Sequence, residues 1–541
     1  MTTPQDSTPL LQGDNAGRSD TARRGSETPG ITAWWGSRSR DAVSLFTILL
    51  LLGVGLGIWV YGTLPTSDRD EHPHEYALHT PNILAHLDEL LDIAHAHNNS
   101  RSVTNGHAAS AEYVVRQLKD HRVDCDVHVQ HFVSPVWTPG AEPRLSLKGG
   151  AQVDYIYGTD FRVMRYGGAR PASIRDAGLA IVEDACSATE ARGHVADRVA
   201  VVQESKKCTL FEQAFLLEQL GARAVVFVRA ARFRSPSNAR VRLVDWKEGD
   251  PLMTVPVLSV THSVGQVLRS LARDARVSVE SQGRIELART FNVLCVGRQG
   301  DKQSTLVVGA HLDSVAGGPG INDNGSGAAT TLEILLTLSR IAFVPQNRLV
   351  FAWWGAEEDG LLGSRHFARV LAHGWRNRWS DEERVDVSWQ DIALNLNFDM
   401  LASPNYIALV HNGTDAPQDA RVGSQRIQRV FEDYFVRHDY AYKVTDMLAG
   451  SDFVPFVDNG VPAGGVLTGA GEIKSIEDRM EHGGLADAPL DTCYHRDCDT
   501  VLNINLVALH KMSKAAMHAV STLSSASDLR GFLAGKSELL L

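Results

Sequence analysis

One stretch near the start of the chain is long, apolar and uncharged. Residues 42–64, AVSLFTILLLLGVGLGIWVYGTL, contain no Asp, Glu, Lys or Arg, and a helix of this length can cross a hydrocarbon core about 30 Å thick. A signal-peptide core would be shorter, and a buried helix rarely lacks a polar face. We therefore predict a single transmembrane helix at 42–64, after a disordered tail (1–41) and before a polar linker (65–80).

The charges on either side of this segment predict its orientation. Arg38 and Arg40 precede it, whereas residues 68–71 are mostly acidic, so the positive-inside rule places the tail in the cytosol. The remaining chain is then lumenal or extracellular, as in a single-pass type II membrane protein. Glycosylation acceptors at Asn98 and Asn412 agree with this side of the membrane.

A short motif in the tail predicts a destination. Asp6 stands four residues before the pair Leu10 and Leu11, which resembles the acidic dileucine signal that sorting adaptors bind. Such a motif also arises by chance in a disordered tail. If it is functional, the protein is delivered to a vacuole or lysosome rather than to the cell surface.

After the linker, the periodicity predicts helices and then a strand. Apolar residues recur at helical spacing from Pro81 to His97, and a second helix is expected from Ser110 to Asp120. Residues Cys125 to Phe132 alternate as in a strand, and the prolines that follow predict an interruption near 134–150. We treat 81–145 as one segment that ends at this boundary.

The next part of the chain has a different pattern of apolar residues. From Gly178 to about Glu286, short aliphatic strands are separated by helices and turns, with few candidate catalytic groups. The pattern predicts a small α/β unit. Its two cysteines, Cys186 and Cys208, either form a disulfide bond or are buried thiols.

The C-terminal half alternates strongly between strands and helices. Apolar runs at 305–313, 347–355 and 391–400 are separated by helical patterns at 327–338 and 361–372. This alternation predicts an α/β fold with a mostly parallel central sheet and helices on both faces.

Composition narrows the function classes. With 541 residues, the chain is too long for a single ordinary core. The net charge of -11 and the absence of a Lys/Arg stripe exclude nucleic acid as a partner. Six cysteines are too few for a disulfide scaffold, and none forms a CxxC pair.

Metal-binding residue types gather at the ends of the C-terminal strands. They lie at or just after the ends of the three apolar runs, or in the glycine-rich loop after the first run: His311, Asp313, Asp323, Glu357, Glu358 and Asp399. Carboxyl ends of parallel strands meet at one edge of a sheet, where α/β folds place their chemistry. Imidazole with carboxylates is a ligand set for hydrolytic zinc, and two neighbouring ions need a shared carboxylate.

Such a site needs another histidine. The segment TCYHRDCDT supplies His495 between Cys493 and Cys498. A disulfide bond between these cysteines would hold the loop that presents the histidine. The residues therefore predict a hydrolytic site for two Zn²⁺ ions per chain.

Five motifs, in this order, resemble the M28 zinc aminopeptidases: AHLDSVAGGPGINDNGSG, WWGAEEDGLLGS, NFDM, SDFVPFVDNGVPAGGVLTGA and TCYHRDCDT. Two further segments, LGARAVVFV and VPVLSVTHSVGQVL, resemble the protease-associated (PA) domain. The resemblance implies a peptidase domain formed by 81–145 and 289–541, with a PA-like domain inserted at 146–288.

The resemblance also implies the metal ligands. His311 and Asp399 would hold one zinc, Glu358 and His495 the other, and Asp323 would bridge both. It further implies a cis peptide bond after Asp323.

Three more residues receive roles from the resemblance. Glu357 would be the general base. Asp313 would hydrogen-bond the second ring nitrogen of His311 and so orient it. Tyr494 would help to stabilise the oxyanion.

The predicted activity is removal of N-terminal residues from peptides with a free N-terminus. One alternative is a carboxypeptidase of the same superfamily, which would need Arg groups near the site to bind a substrate carboxylate. Another is a receptor-like ectodomain that kept the fold without catalysis. A glutaminyl cyclase would use one zinc and would not need the full ligand set.

Overall fold

The computed structural model describes residues 73–191, 194–237, 239–241, 246–373, 385–447 and 450–539. The predicted tail, its sorting motif, the predicted transmembrane helix at 42–64 and the linker as far as residue 72 lie outside the described residues. Within those ranges, no helix combines the length and the apolar character that a membrane span requires.

The strands are β1 (Cys125–Thr138), β2 (Arg144–Gly149), β3 (Ala151–Tyr155), β4 (Phe161–Val163), β5 (Ala172–Val182), β6 (Val199–Gln203), β7 (Ala224–Val228), β8 (Val257–Val260), β9 (Arg276–Ser281), β10 (Arg284–Gly297), β11 (Asp301–His311), β12 (Asn347–Trp354), β13 (Ile392–Phe398), β14 (Leu409–His411), β15 (Lys443–Thr445) and β16 (Ala463–Leu467). The helices are α1 (Pro73–Ala77), α2 (Thr80–Ala96), α3 (His107–Asp120), α4 (Ala188–Ala191), α5 (Leu210–Gln219), α6 (His262–Ser270), α7 (Gly327–Arg340), α8 (Leu362–His373), α9 (Gln418–Arg437), α10 (Val454–Val457), α11 (Ile476–His482), α12 (Leu506–Ser525) and α13 (Leu529–Leu533).

Eight strands form the first sheet, in the order β1-β10-β12-β11-β13-β16-β14-β15. The four central strands, β12, β11, β13 and β16, are parallel to one another. Antiparallel pairs join β1 to β10, β10 to β12 and β14 to β16. The prediction of an α/β fold with a mostly parallel centre is confirmed, with antiparallel strands added towards both edges.

Both faces of this sheet are buried. On β11 and β12, Val308 and Trp353 face a core that α2, α3, α7, α9 and α12 share. Their neighbours Val307 and Trp354 face a second core with α8 and α10. Successive residues of a strand point to opposite faces, so a strand buried on both sides must be apolar throughout. Helices therefore cover both faces, as predicted.

The second sheet lies between Arg144 and Ser281 and has the order β3-β2-β9-β5-β6-β7-β8-β4. Strands β5 to β8 are parallel, and the remaining pairs are antiparallel. It has its own apolar cores.

A two-stranded ribbon connects the two sheets. Strands β1 and β10 pair from Cys125 opposite Gly297 to Thr138 opposite Arg284, so the chain leaves and re-enters the first sheet through one antiparallel pair. The predicted end of β1 before the prolines is wrong, because the strand continues through Pro135. Since β1 is an edge strand, a residue without an N–H can face the open side.

All six cysteines are paired. The predicted Cys493–Cys498 bond is confirmed. Cys186 bonds to Cys208 within the second sheet's segment, which settles the choice between a bond and two thiols. Cys125 bonds to Cys295, a link between β1 and β10 that the sequence did not assign.

Candidate metal centre

The topology brings the candidate ligands to one edge of the first sheet. His311 is the last residue of β11, Asp399 follows the last residue of β13, and Glu358 lies four residues after β12. These three strands are neighbours and run parallel, so their carboxyl ends meet. Asp323 lies in the turn Ile321–Ser326 that leads into α7, and its peptide bond to Asn324 is cis, as the resemblance implies.

The ligands form two clusters that share one carboxylate. His311, Asp323 and Asp399 form one cluster, and Asp323, Glu358 and His495 form the other, with candidate ligand atoms within 4.8 Å of one another in each. Asp323 divides its two oxygens between them: Oδ1 lies 3.3 Å from His311 Nε2, and Oδ2 lies 3.0 Å from His495 Nε2.

The separations fit a metal ion. Besides those of Asp323, the ligand distances are 3.3 Å from His311 Nε2 to Asp399 Oδ1 and 3.1 Å from His495 Nε2 to Glu358 Oε1. Two ligands about 2.0–2.1 Å from a tetrahedral zinc lie about 3.3 Å apart. Both clusters therefore have room for one tetrahedral ion between their ligand atoms.

Two buried carboxylate oxygens of these clusters lack a hydrogen bond. They are Glu358 Oε1 and Asp399 Oδ1, which are also the atoms that face the histidines. A buried charged oxygen without a partner is costly. Metal ions would remove that cost.

The electrostatics also call for positive charge. Burial lowers the pKa of His311, but Asp399 and Glu357 outweigh it and bring the pKa well above its ordinary value. Burial likewise opposes protonation of His495, but Glu358 and Asp323 raise its pKa to about 10. Burial raises the pKa of Asp323, yet hydrogen bonds from the two histidines hold that pKa below its usual range. Divalent cations would replace the protons that the carboxylates otherwise retain on the imidazoles.

Asp313 contacts His311 through its main chain and the next strand's turn through its carboxylate. The ring Nδ1 of His311 donates to the main-chain carbonyl of Asp313 over 3.0 Å, while the carboxylate lies 3.9 Å from that nitrogen. The carboxylate instead accepts the main-chain N–H groups of Glu357 at 3.1 Å and Glu358 at 3.3 Å. The hydrogen bond that the resemblance implies between Asp313 and the second ring nitrogen of His311 is therefore made by the main-chain carbonyl, while the carboxylate binds the turn that follows β12.

Glu357 lies beside the clusters without belonging to either. Its Oε2 is 4.0 Å from His311 Nε2. Burial raises the pKa of Glu357 well above its usual range, and Glu358 adds to the shift, while His311 opposes it. A carboxylate whose proton affinity is raised suits a group that takes up and releases a proton.

Tyr494 stacks on the ring of His495, with centroids 3.7 Å apart and planes at 26°. Burial raises the pKa of Tyr494, and the nearby Asp323 and Glu358 add to the shift. Its hydroxyl therefore stays protonated and can donate a hydrogen bond. Its predicted role in binding an oxyanion stays a prediction.

Several residues that hold the ligands were not singled out from the sequence. The hydroxyl of Ser451 donates to Asp399 Oδ2 over 2.7 Å and accepts from the amide of Asn397. Asp499 accepts the N–H groups of Asn322 at 2.9 Å and Asp323 at 3.0 Å. The only signal was proximity, because Ser451 begins the quoted SDF motif and Asp499 lies four residues after His495.

Arg101 also supports the site, and of these residues it is the farthest from the candidate ligands along the chain. Its side chain is fully buried and donates to the carbonyls of Leu312, Pro319 and Gly320 in the loop between His311 and Asp323. It thereby holds the segment that connects two candidate ligands, His311 and Asp323.

Comparison with known proteins now identifies the family. Residues 292–520 match the model described as Peptidase family M28. An aminopeptidase of Pseudomonas aeruginosa is 32% identical over 458 residues, which cover 83% of this chain and 81% of that protein.

Solved structures agree in fold. An aminopeptidase from Aneurinibacillus sp. strain AM-1 matches with a TM-score of 0.62 at 19% identity, covering 83% of this chain and 95% of that one. A zinc aminopeptidase from Bacillus subtilis matches with a TM-score of 0.54 at 18% identity, covering 82% and 95%. The predicted family and the predicted enzyme class, a metallo-aminopeptidase, are confirmed. The chain belongs to peptidase family M28.

Proposed function

We propose that this protein is an aminopeptidase that binds two zinc ions and hydrolyses the N-terminal peptide bond of peptides. The observation that carries the proposal is the division of Asp323: one oxygen faces each of two histidines, so one carboxylate serves two clusters. The Bacillus subtilis structure of the same fold is a zinc enzyme, which supports zinc as the metal.

His311, Asp323 and Asp399 would hold one ion, and Asp323, Glu358 and His495 the other. When bound, the zinc pair supplies an activated water and a Lewis acid for the scissile carbonyl. Glu357 is the general base: its buried carboxylate takes a proton from the attacking water and then delivers it to the leaving amine. The protonated hydroxyl of Tyr494 is available to the oxyanion.

The acids around the site also explain why the first peptide bond is cut. Asp399 belongs to the cluster around His311, and Glu357 lies beside it. A substrate ammonium group held against these two carboxylates would bring the first carbonyl next to that cluster. A blocked N-terminus would lose this interaction.

The alternatives have less support. A carboxypeptidase needs guanidinium groups to hold the substrate carboxylate, whereas Arg165 and Arg240, which come close to the site, donate to a main-chain carbonyl of the enzyme itself. A receptor-like ectodomain has no need for two complete ligand clusters.

Metal analysis and a substrate panel test the proposal. The purified ectodomain should contain two zinc ions per chain and should cleave aminoacyl anilides and peptides with a free amine, while N-acetylated peptides should resist. Cleavage of N-acetylated peptides with release of C-terminal residues would instead support a carboxypeptidase, and a zinc-free ectodomain would support the receptor.

We further propose that residues 146–288 are a PA domain and that the enzyme is a type II membrane protein of a vacuole or lysosome. The segments LGARAVVFV and VPVLSVTHSVGQVL support the PA domain. The uncharged stretch 42–64 and the tail motif support the membrane location, as do three disulfide bonds, which suit an oxidising compartment. Replacement of Leu10 and Leu11 by Ala should move a fluorescent fusion to the cell surface. Unchanged vacuolar localisation would remove the sorting role.

A further inference from the structure

Three residues between strands of the second sheet contact the turn that carries Glu358. Arg165 and Arg240 both donate to the main-chain carbonyl of Glu358, Arg165 over 3.2 Å. Tyr166 donates its hydroxyl to the carboxylate of Asp359. The turn after β12 is thus held from outside the catalytic sheet.

The two arginines are presented together. Arg165 follows β4, and a parallel bridge pairs it with Arg240, whose neighbour Val241 donates its N–H to the carbonyl of Arg165 over 2.8 Å. The segment packs tightly on β8: a Cβ at Gly167 would lie 2.6 Å from Cβ of Val257. The backbone that carries both arginines is therefore held by contacts within the second sheet's own segment.

The same turn is held from the inside by Asp313, whose carboxylate accepts the N–H groups of Glu357 and Glu358. With its N–H and its carbonyl both engaged, Glu358 has little backbone freedom. Its side chain presents Oε1 to His495 at 3.1 Å, while Oε2 lies 3.9 Å from Arg240. One oxygen is thereby directed to the metal cluster.

Charge favours these contacts. Residues 357–359 are three consecutive acids, and adjacent carboxylates repel one another. Two guanidinium groups offset that repulsion from a side where no ligand atom has to move.

We propose that Arg165, Tyr166 and Arg240 are positioning residues for the zinc site of Asp323, Glu358 and His495, so that the inserted domain sets the affinity of one metal site in the neighbouring sheet. The inference rests on the proposed two-zinc function. It differs from a simple contact between domains, because it predicts an effect on one zinc ion and not on the other.

Zinc affinity in the full ectodomain tests this. A double variant, Arg165→Met with Arg240→Met, is compared with the wild type by competition against a graded series of chelators, which resolves two dissociation steps. We expect the double variant to bind one zinc about 10- to 100-fold more weakly, the range for loss of groups that hold a metal ligand in place, and the other zinc as the wild type does. Turnover should fall while KM for a short substrate stays the same. When Arg165→Met is combined with Arg240→Lys instead of Arg240→Met, part of the zinc affinity should return.

Arg229→Met is the matched control. Arg229 also lies in the inserted domain, pairs with Glu204 at 3.1 Å and has 19% of its side chain exposed, against 24% for Arg240. Equal zinc binding in the control and the double variant would overturn the inference while leaving the two-zinc function intact. Equal weakening of both zinc ions would overturn it too, by showing a general structural role. A wild type that binds fewer than two zinc ions would overturn the proposed function and the inference together.

Discussion

The hydroxyl of Ser451 donates a 2.7 Å hydrogen bond to Oδ2 of Asp399, which leaves Oδ1 to face His311. Asn397 in turn donates to the same hydroxyl over 2.9 Å. Ser451 is not a candidate metal ligand, but its hydrogen bond determines which oxygen of Asp399 is available to a metal ion.

Replacement of Ser451 by Ala should weaken the zinc ion between His311 and Asp399, because the carboxylate loses the bond that fixes its rotation. The expected loss is about 10- to 100-fold in affinity, measured by chelator competition. Ser521→Ala is a control, since that buried serine donates only within its own helix. Unchanged affinity in the Ser451 variant would show that Asp399 needs no such support.

Glu357→Gln should retain both zinc ions and lose turnover by about 10²- to 10⁴-fold, the usual contribution of a general base. Glu357 belongs to neither cluster, whereas Glu358→Gln should lose one ion. Zinc content and hydrolysis of an aminoacyl anilide are measured on both variants. Wild-type turnover in Glu357→Gln would exclude it as the base.

Removal of two of the disulfide bonds should affect stability and activity in different proportions. Cys125 and Cys295 are 170 residues apart, against 5 for Cys493 and Cys498. Loop-closure entropy then predicts a loss of about 5 kcal/mol in the free energy of unfolding without the first bond and about 2 kcal/mol without the second. The loss of activity should be larger without the Cys493–Cys498 bond than without the Cys125–Cys295 bond, because the short loop carries His495.

Urea unfolding and kcat of the two Cys→Ser double variants test this pair of rankings. If the variant lacking Cys493–Cys498 kept full activity and both zinc ions, the loop would be held by other contacts.

Glu333 should make stability depend on pH. Burial raises its pKa, but hydrogen bonds and ion pairs with His86, Asn82 and Arg340 outweigh this and bring the pKa down to about 2. A lowered folded-state pKa contributes stability above the unfolded-state value, about 4.3, and this contribution is lost as pH falls towards 2. The free energy of unfolding of metal-free wild type should therefore exceed that of Glu333→Gln above about pH 5, with a gap that narrows towards pH 2.

Metal-free protein is used so that zinc loss in acid does not contribute. Glu89→Gln, an exposed position on α2, serves as the control. A gap that stays constant with pH would show that Glu333 acts through packing alone.

Much of the catalytic sheet could be predicted from the sequence, because strands buried on both faces are nearly continuous apolar runs. The candidate ligands at the ends of β11, β12 and β13 followed from the same argument, since parallel neighbours end at one edge. The contacts of the Asp313 carboxylate did not follow. Spacing relates it to His311, but only the fold brings its carboxylate to the N–H groups of Glu357 and Glu358.

Other contacts had no local signal at all. Arg101 lies in a polar stretch whose pattern gives no sign of burial, yet it binds a loop more than 200 residues away. The Cys125–Cys295 bond and the contacts of Arg240 likewise join distant segments. Such pairings depend on tertiary packing, which periodicity does not encode.

The ribbon of β1 and β10 has a consequence for how this chain can be altered. Because Thr138 lies opposite Arg284, residues 139–283 form a cassette whose two ends lie side by side. A short turn joining those ends would restore an uninterrupted hairpin and leave every strand of the catalytic sheet in the chain. The cassette can therefore be exchanged or resized without changing the order of the strands in the catalytic sheet. Such a change would remove the hydrogen bonds from Arg165, Tyr166 and Arg240 to the turn that carries Glu358.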